Sequence, residues 1–304
     1  MGNLGGHVGS GFGFFIIGLW HLLNHIKLHA QNPNSHKPLL WFPTQKLRYL
    51  ELYLIMGGST VFIALELFIT PQRHQPLDTD FTIPSNHLHN FEHSVMALAF
   101  FTYAAFAVLL DRMAPRKTRH SLTQLLGAVA FGQQLLVFHH HSADHVGVEG
   151  EYHLLLQLVV SIALITTLMG CGYPKSFLIS FVRSMSILFI GVWLTVIGFM
   201  LWTPELIPKG CFMKLEEGRR VVRCHNDEAL ERAKSLVVIE FSWYLVLVII
   251  SSMCLYLYMI RIYGEKVEYQ TLSKKESEED EEGDVEAQKR SKVDESKSFV
   301  QTGS

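Results

Sequence analysis

The residues best suited to chemistry in this chain are histidines and carboxylates around one short polar stretch. Residues 138–153 read FHHHSADHVGVEGEYH, with five histidines and three carboxylates in sixteen residues. Imidazole and carboxylate side chains together bind Zn²⁺ and other divalent first-row ions. The stretch therefore suggests a metal site that activates a water molecule as a nucleophile. The alternative is a hydrated polar segment with no ligand.

A second motif, HNFEH, occupies residues 89–93. His89, Glu92 and His93 stand at positions i, i+3 and i+4, so they share one face if the segment is helical. H-x-x-E-H is also the inverted zinc-protease pattern. A five-residue motif is a weak indication of a metal site by itself. Its position at the start of an apolar run makes the interpretation stronger.

Long apolar runs determine the elements that must position these residues. Runs of about 18 or more mostly apolar residues are long enough to cross a bilayer as helices. The sequence contains seven, and their approximate ranges are 9–26, 49–69, 92–110, 122–138, 152–171, 177–202 and 236–260. We therefore expect an all-α polytopic membrane protein, with a seven-helix bundle over residues 1–263 and lipid around it.

The C-terminal segment, residues 264–304, has a different composition. Residues 274–298 read KKESEEDEEGDVEAQKRSKVDESKS and carry almost no apolar side chains. Such a composition predicts disorder. We expect a cytosolic tail that could recruit cytosolic partners.

Basic residues indicate the orientation of the bundle. Three lie between residues 37 and 48 and four between residues 112 and 119, which places these loops in the cytosol and the N-terminus in the lumen or outside the cell. The segment 203–235 argues against this choice, because it carries seven basic residues on the other side. Cys211 and Cys224 lie in that segment and would suit a disulfide in an oxidising compartment, the alternative being two free thiols.

With this orientation, helix three begins, helix four ends and helix five begins on the lumenal side. The expected metal ligands are His89, Glu92, His93, His139, His141, His145 and His153. Glu149 or Asp144 would be the general base. His7, Glu66 and Gln134 could extend the polar network, since an acid within an apolar run such as FIALELFI is a functional candidate.

Other polar residues near the helix ends have less weight. Glu51 and Glu240 are weaker candidates of the same kind as Glu66. Arg183 is expected to extend its side chain to the cytosolic surface. A stripe of histidines at the cytosolic end of helix one, without an acid nearby, is expected to lie at the membrane interface: His21, His25 and His29.

Three segments resemble the transmembrane protein 45 family, the family of domain of unknown function 716. They read GHVGSGFGFFIIGLW, HNFEHSVM and LLVFHHHSADHVGVEGEYHLLLQ, and the plant branch is the most similar. The resemblance covers nearly all seven spans and leaves out the tail. It implies a seven-helix integral membrane protein and little about activity.

Three functions remain open at this point. The first is a zinc-dependent membrane hydrolase that acts on a lipid-like amide or ester at headgroup level. The second is an ion or proton transporter or channel that uses the same histidines with Glu66. The third is a non-catalytic scaffold that acts through its acidic tail. The sequence has no phosphate-binding loop, dinucleotide fingerprint, mid-membrane lysine or basic nucleic-acid surface.

Overall fold

The chain folds as an all-α bundle. The computed structural model describes residues 4–33, 37–69, 75–140, 147–216 and 219–301, without the side chains of residues 116, 117, 219 and 265–301. Over these residues, seven helices are long and apolar enough to cross a membrane. This confirms the predicted fold class, and the molecule is a multi-pass membrane protein.

Each apolar run lies within one helix or, for 49–69, almost entirely within α2 and the turn that continues it, and α7 extends well beyond its run. Their bounds are α1 (Leu4–Gln31), α2 (Leu50–Ala64), α3 (Leu88–Met113), α4 (Arg116–His140), α5 (Val148–Gly172), α6 (Phe177–Trp202) and α7 (Asp227–Gln301). A π-helical turn, Leu65–Ile69, continues α2, and a 3-10 turn, Ser85–His87, precedes α3. Residues 265–301 of α7 have no described side chains, and the expected disorder of the tail stays a prediction.

Short connections make successive spans antiparallel, so the bundle has two distinct sides. A β-hairpin follows α6, with β1 (Cys211–Glu216) paired antiparallel to β2 (Arg219–Cys224). We call its side of the bundle the hairpin side. The ends of α2, α4 and α6 and the starts of α1, α3, α5 and α7 lie there. The opposite side, where α1 ends, is called the tail side.

The closest helix contact joins α1 to α6. A Cβ atom built on Gly18 would overlap the main chain of Leu188, and one built on Gly191 would overlap that of Phe15. Small residues allow helix backbones to approach this closely in membranes. Helix α6 is the central helix of the bundle, with 72% of its apolar window buried.

Apolar packing divides the bundle into two parts. The larger cluster joins α1 and α4–α7 around Trp193, Ile190 and Leu156, and we call these helices the five-helix body. A separate small cluster, in which Leu52 packs on Ala104, joins α2 to α3. The pair α2–α3 therefore has a small core of its own, and α3 also packs against α4.

The β-hairpin was not predicted from the sequence. Cys211 and Cys224 are directly opposite each other in its register and form a disulfide. Val222 is buried and packs against the main cluster, which attaches the hairpin to the five-helix body. The turn into the hairpin uses Gly210 at a φ of 91°, a conformation that favours glycine.

Candidate functional site

On the hairpin side, a buried carboxylate lies between α2 and α3. Glu66, in the π-helical turn, is 4% exposed. Its Oε2 accepts a hydrogen bond of 2.8 Å from Asn90 Nδ2 and lies 3.7 Å from His93 Nδ1. Single π-turns in helices occur frequently at functional sites. The geometry agrees with the expectation that Glu66 faces polar groups rather than lipid.

Two histidines meet at the same end of the five-helix body. His7 and His153 are buried, with ring centroids 5.9 Å apart, and His7 also packs on Trp202 at 4.7 Å. His153 Nδ1 lies 2.9 Å from the main-chain oxygen of Glu149. A carbonyl only accepts, so Nδ1 carries the hydrogen and Nε2 carries the lone pair in a neutral ring. This is the tautomer in which Nε2 can bind a proton or a metal ion.

The other predicted metal ligands divide into two groups. His139 is exposed at the end of α4, whereas His89 and Glu92 are partly buried, with the His89 ring 6.2 Å from that of His93. His141, Asp144 and His145 lie outside the described residues. Among the residues that the structure describes, no group of three or more histidine, cysteine or acidic side chains could hold a metal ion. The metal site therefore stays a prediction that depends on residues 141–146.

Gln134, which was predicted to extend the polar network, has a buried side-chain oxygen that lacks a hydrogen-bond donor among the described residues. Its side chain is 3% exposed, and its Oε1 atom has no hydrogen-bond partner among the described residues. An amide carbonyl buried without a donor costs about 1–3 kcal/mol. Such a group indicates either a site for a small polar ligand or an unfavourable position in the fold.

On the tail side, a histidine and an acid are paired inside the membrane-spanning region. His21 Nε2 lies 2.6 Å from Glu51 Oε1, and the Phe42 main-chain N–H donates to Glu51 Oε2 at 2.9 Å. All three residues are buried. The expectation that the histidine stripe of α1 has no acid nearby is therefore wrong, because the start of α2 brings Glu51 to it.

The other two histidines of the stripe differ in burial, since His29, near the end of α1, is partly exposed. His25 is fully buried, with its ring 4.8 Å from that of Phe42. The His29 ring stacks on Phe177 at 4.0 Å. The stripe faces the bundle because the glycines of α1 hold this helix tightly against α6, and its histidine face then turns toward α2 and the segment that contains Phe42.

Arg183 also corrects an expectation. Its side chain is only 6% exposed, so it does not extend to the surface. It is electrostatically coupled to Tyr103, Glu51 and Cys171. The cause is the central position of α6, which leaves a residue two turns into that helix surrounded by other helices. We call His21, His25, Glu51, Tyr103 and Arg183 the tail-side cluster.

Tyr103 was not singled out from the sequence. It is partly buried against the small core of α2 and α3, and its ring lies against Gly127 of α4. Its hydroxyl donates a long hydrogen bond of 3.4 Å to the main-chain oxygen of Leu40. The only sequence signal was one tyrosine in the apolar run AFFTYAAFA, which aromatic composition alone does not distinguish from a lipid-facing side chain.

An aromatic plug separates the polar groups of the two sides. It consists of Phe14, Phe100 and Phe131, with ring centroids 5.4 Å apart for Phe14 and Phe100 and 5.6 Å for Phe100 and Phe131. His7, Phe14 and His21 stand seven residues apart on α1, so they share one helix face over about 21 Å. Each end of that face carries a buried imidazole, and its middle carries a ring of the plug.

A third acid within the spans makes a contact between α5 and α7. The Tyr152 hydroxyl donates to Glu240 Oε2 at 2.9 Å, and Trp193 Nε1 donates to the main-chain oxygen of Tyr152 at 3.1 Å. These bonds join three helices of the body near its hairpin side. We assign them to the packing of the body, because Glu240 is bonded to a group that the core itself holds in place.

Residues 120–257 match a family model described as "Family of unknown function (DUF716)". The matched region runs from the beginning of α4 into α7, and it contains Arg183, Gln134 and His153. The match supports the similarity to that family that the sequence motifs indicate.

Proposed function

We propose that this protein is a gated membrane transporter that moves protons, alone or with a solute, between polar clusters on its two sides. The observation that carries the proposal is the histidine face of α1, which has buried imidazoles at His7 and His21 and a ring of the aromatic plug at Phe14. Ionisable side chains inside membrane proteins mark ion and proton pathways by default.

Helix α2 supports the same function from the other part of the bundle. It carries Glu51 near one end and Glu66 near the other, fifteen residues apart, which is about 22 Å and close to the same helix face. Both acids are buried, and each lies near an imidazole, His21 or His93. Carboxylates and imidazoles in series are the groups that form proton relays in membrane proteins.

The plug and the divided core support gating rather than an open pore. Apolar constrictions block ion passage because water leaves them. The pair α2–α3 has its own small hydrophobic core, so it could rotate against the five-helix body by repacking the contacts that Met96 and Phe100 make with the main cluster. Such a movement is the hinge type of transition that alternating access uses.

Proton flux into proteoliposomes tests the proposal. The vesicles hold a pH-sensitive dye, and a potassium gradient with valinomycin drives proton entry. We expect flux for the parent protein and a loss of at least about tenfold in Glu51→Gln and Glu66→Gln, since an amide does not titrate. Glu228→Gln, which removes an exposed acid, is the matched control. Flux equal to that of empty vesicles, or unaffected by both amide variants, would rule out the proposal.

A second candidate function is metal-dependent hydrolysis at the hairpin side. The tautomer of His153 favours it, because Nε2 carries the lone pair that a Zn²⁺ ligand needs. His141, His145 and either Asp144 or Glu149 would complete the site. The test is metal content by mass spectrometry of protein purified without a His-tag, beside the His89→Ala/His141→Ala double variant. Protein that takes up no first-row ion on titration rules out this candidate.

We also propose an orientation and a branch of the family. The Cys211–Cys224 disulfide supports a lumenal or extracellular hairpin side, since disulfides form in oxidising compartments. Together with the basic residues of the tail side, it favours a lumenal N-terminus, a cytosolic tail and residence in an endomembrane or the plasma membrane. Protease protection of tags at both termini tests this. The three quoted motifs support the plant branch of the transmembrane protein 45 family.

A further inference from the structure

Arginines from three parts of the chain meet on the tail side of the bundle, around the end of α3. Arg48 Nη2 and Arg119 Nη1 donate to Asp111 at 2.9 Å and 2.8 Å, and each binds a different oxygen of that carboxylate. The Tyr49 hydroxyl donates to the same carboxylate at 3.0 Å. The segment before α2, the end of α3 and the start of α4 therefore hold one another in place through Asp111.

The third arginine, Arg112, joins this group through an aromatic ring. Its guanidinium carbon lies over the ring of Tyr49, 5.1 Å from the centroid, and that of Arg48 lies over the same ring at 5.7 Å. Guanidinium groups stack favourably on aromatic faces. Tyr49 is thus in contact with two arginines and shares the carboxylate of Asp111 with Arg119. We call these five residues the arginine cluster.

The arginine cluster has an excess of positive charge and hydrogen-bond donors that Asp111 does not use. Three arginines against one aspartate leave it a net charge of +2. Asp111 takes one nitrogen from Arg48 and one from Arg119, whereas each guanidinium has five N–H donors. The side chain of Arg48 is 62% exposed, and Arg112 is exposed as well. Their remaining donors are therefore accessible to a ligand from outside the protein.

Exposed apolar side chains continue from the arginine cluster toward the middle of the spans. Leu109 precedes Arg112 by three residues, so it lies one turn deeper on the same face of α3, and it is 46% exposed. Tyr53 lies one turn deeper than Tyr49 on α2, with the two rings 6.1 Å apart, and it is 43% exposed. A molecule along this surface therefore meets cations at the tail side and apolar side chains below them.

We infer that the arginine cluster binds the headgroup of an anionic phospholipid with a phosphate monoester, the chemistry of phosphatidic acid. A phosphate monoester carries a charge of about −1.5 to −2 at neutral pH, which the net charge of the cluster balances. Guanidinium groups bind phosphate oxygens through paired N–H···O bonds, and Arg48 and Arg112 provide the donors. The acyl chain lies on Leu109 and Tyr53, a contact that a free phosphate ion lacks. The inference does not depend on proton transport.

Lipid binding to the full-length protein in detergent micelles tests the site. Native mass spectrometry measures the bound lipid while phosphatidic acid, phosphatidylserine and phosphatidylcholine are titrated separately. We expect phosphatidic acid to bind at least about tenfold more tightly than phosphatidylcholine, with phosphatidylserine between them, because charge-assisted hydrogen bonds to phosphate are strong. Inorganic phosphate at the same concentration should not displace phosphatidic acid. Affinity for phosphatidic acid no higher than that for either other lipid overturns the inference, and so does displacement by inorganic phosphate.

Variants connect the binding to the arginine cluster. Arg112→Gln leaves the bonds of Asp111 intact and should weaken phosphatidic acid binding by about tenfold, whereas Arg112→Lys, which keeps the charge without the planar fork, should weaken it less. Lys175→Gln removes an exposed cation between α5 and α6 on the same side of the bundle and is the matched control. Arg48→Gln provides a second reading if Arg112→Gln does not fold. An equal loss in Lys175→Gln, or no loss in either arginine-to-glutamine variant, overturns the inference.

Discussion

The two sides of this bundle carry similar residue types in different arrangements. The hairpin side has most of the histidines and both motifs that resemble metal sites, yet His139 is exposed and the described residues there form no metal-binding group. The tail side has fewer such residues and no recognisable motif, yet His21 and Glu51 are paired at 2.6 Å and Arg183 is buried within α6.

The difference shows that titratable residues that are close together along the sequence need not be close together in the folded protein, and the reverse is also true. Consecutive histidines such as His139 and His140 diverge by about 100° on a helix, so they cannot all face one site. His21 and Glu51 come from two different helices, and the packing of the start of α2 beside α1 pairs them.

The largest effect is expected where the tail-side pair is broken. Glu51→Gln leaves an amide opposite His21 and the Phe42 N–H, and an amide cannot accept well from both. We expect a loss of roughly 2–4 kcal/mol in the free energy of unfolding, measured by denaturation in mixed micelles. A double-mutant cycle with His21→Ala should give a coupling of about 1–3 kcal/mol. Additive effects would show that the pair is not a unit.

The next effect concerns the boundary between the two sides. Phe100→Ala removes the central ring of the aromatic plug, so water can enter from both clusters. We expect uncoupled proton leak in proteoliposomes to rise by about tenfold. Phe199→Ala removes a ring that is 45% exposed on the outside of α6, and it should leave the leak unchanged. An equal rise in both variants would mean that general loosening, and not the plug, controls the leak.

A smaller and opposite change is expected on the hairpin side. Gln134→Leu replaces a buried carbonyl that has no described donor, so the free energy of unfolding should rise by about 1 kcal/mol. The same variant should lower proton flux if Gln134 belongs to the pathway. Together, the free energy of unfolding and the proton flux show whether Gln134 contributes to function or to stability. A variant that is less stable than the parent would show that Gln134 has a structural partner.

The smallest effect is expected at the surface of the hairpin side. Hydrogen bonds from the Thr82 hydroxyl and main-chain N–H hold the pKa of Asp80 below its usual value. A lowered folded-state pKa gives stability that is present above the unfolded pKa, near 4, and is lost as pH falls through the folded value. Asp80→Asn should therefore flatten the stability profile only below about pH 4, measured by thermal unfolding across pH. A difference from the parent that stays the same below about pH 4 would contradict this origin.

The number of spans and their limits were predictable because they depend on composition over about 20 residues. The apolar run 177–202 coincides with α6, and the first five runs agree with their helices within about six residues, whereas α7 extends well beyond the run 236–260 at both ends. The burial of Glu66 was also predictable, since an ionised side chain within a span avoids lipid.

The tail-side cluster was not predictable, because its formation depends on helix rotation. Spacing shows that His21 and His25 share a face, but not whether that face meets lipid or α2. One signal was available: Glu51 begins the next span on the same membrane side as His21, so an acid was present within reach. The prediction that Arg183 extends to the surface was wrong because α6 is the central helix of the bundle. That position depends on the glycine contact between α1 and α6. Sequence patterns do not reveal such a contact, because residues such as Gly18 and Leu188 are far apart in the chain.

The glycine contact between α1 and α6 can form only late in the synthesis of the chain. Gly18 emerges from the ribosome 170 residues before Leu188, a delay of roughly 10–30 s at ordinary synthesis rates. During that time α1 is in the membrane without the helix that fits its glycines, and its histidine face has not met its final neighbours. We therefore expect α1 to reach its final packing only after α6 has entered the membrane. Chains that stop before α6 should be recognised by quality control and degraded.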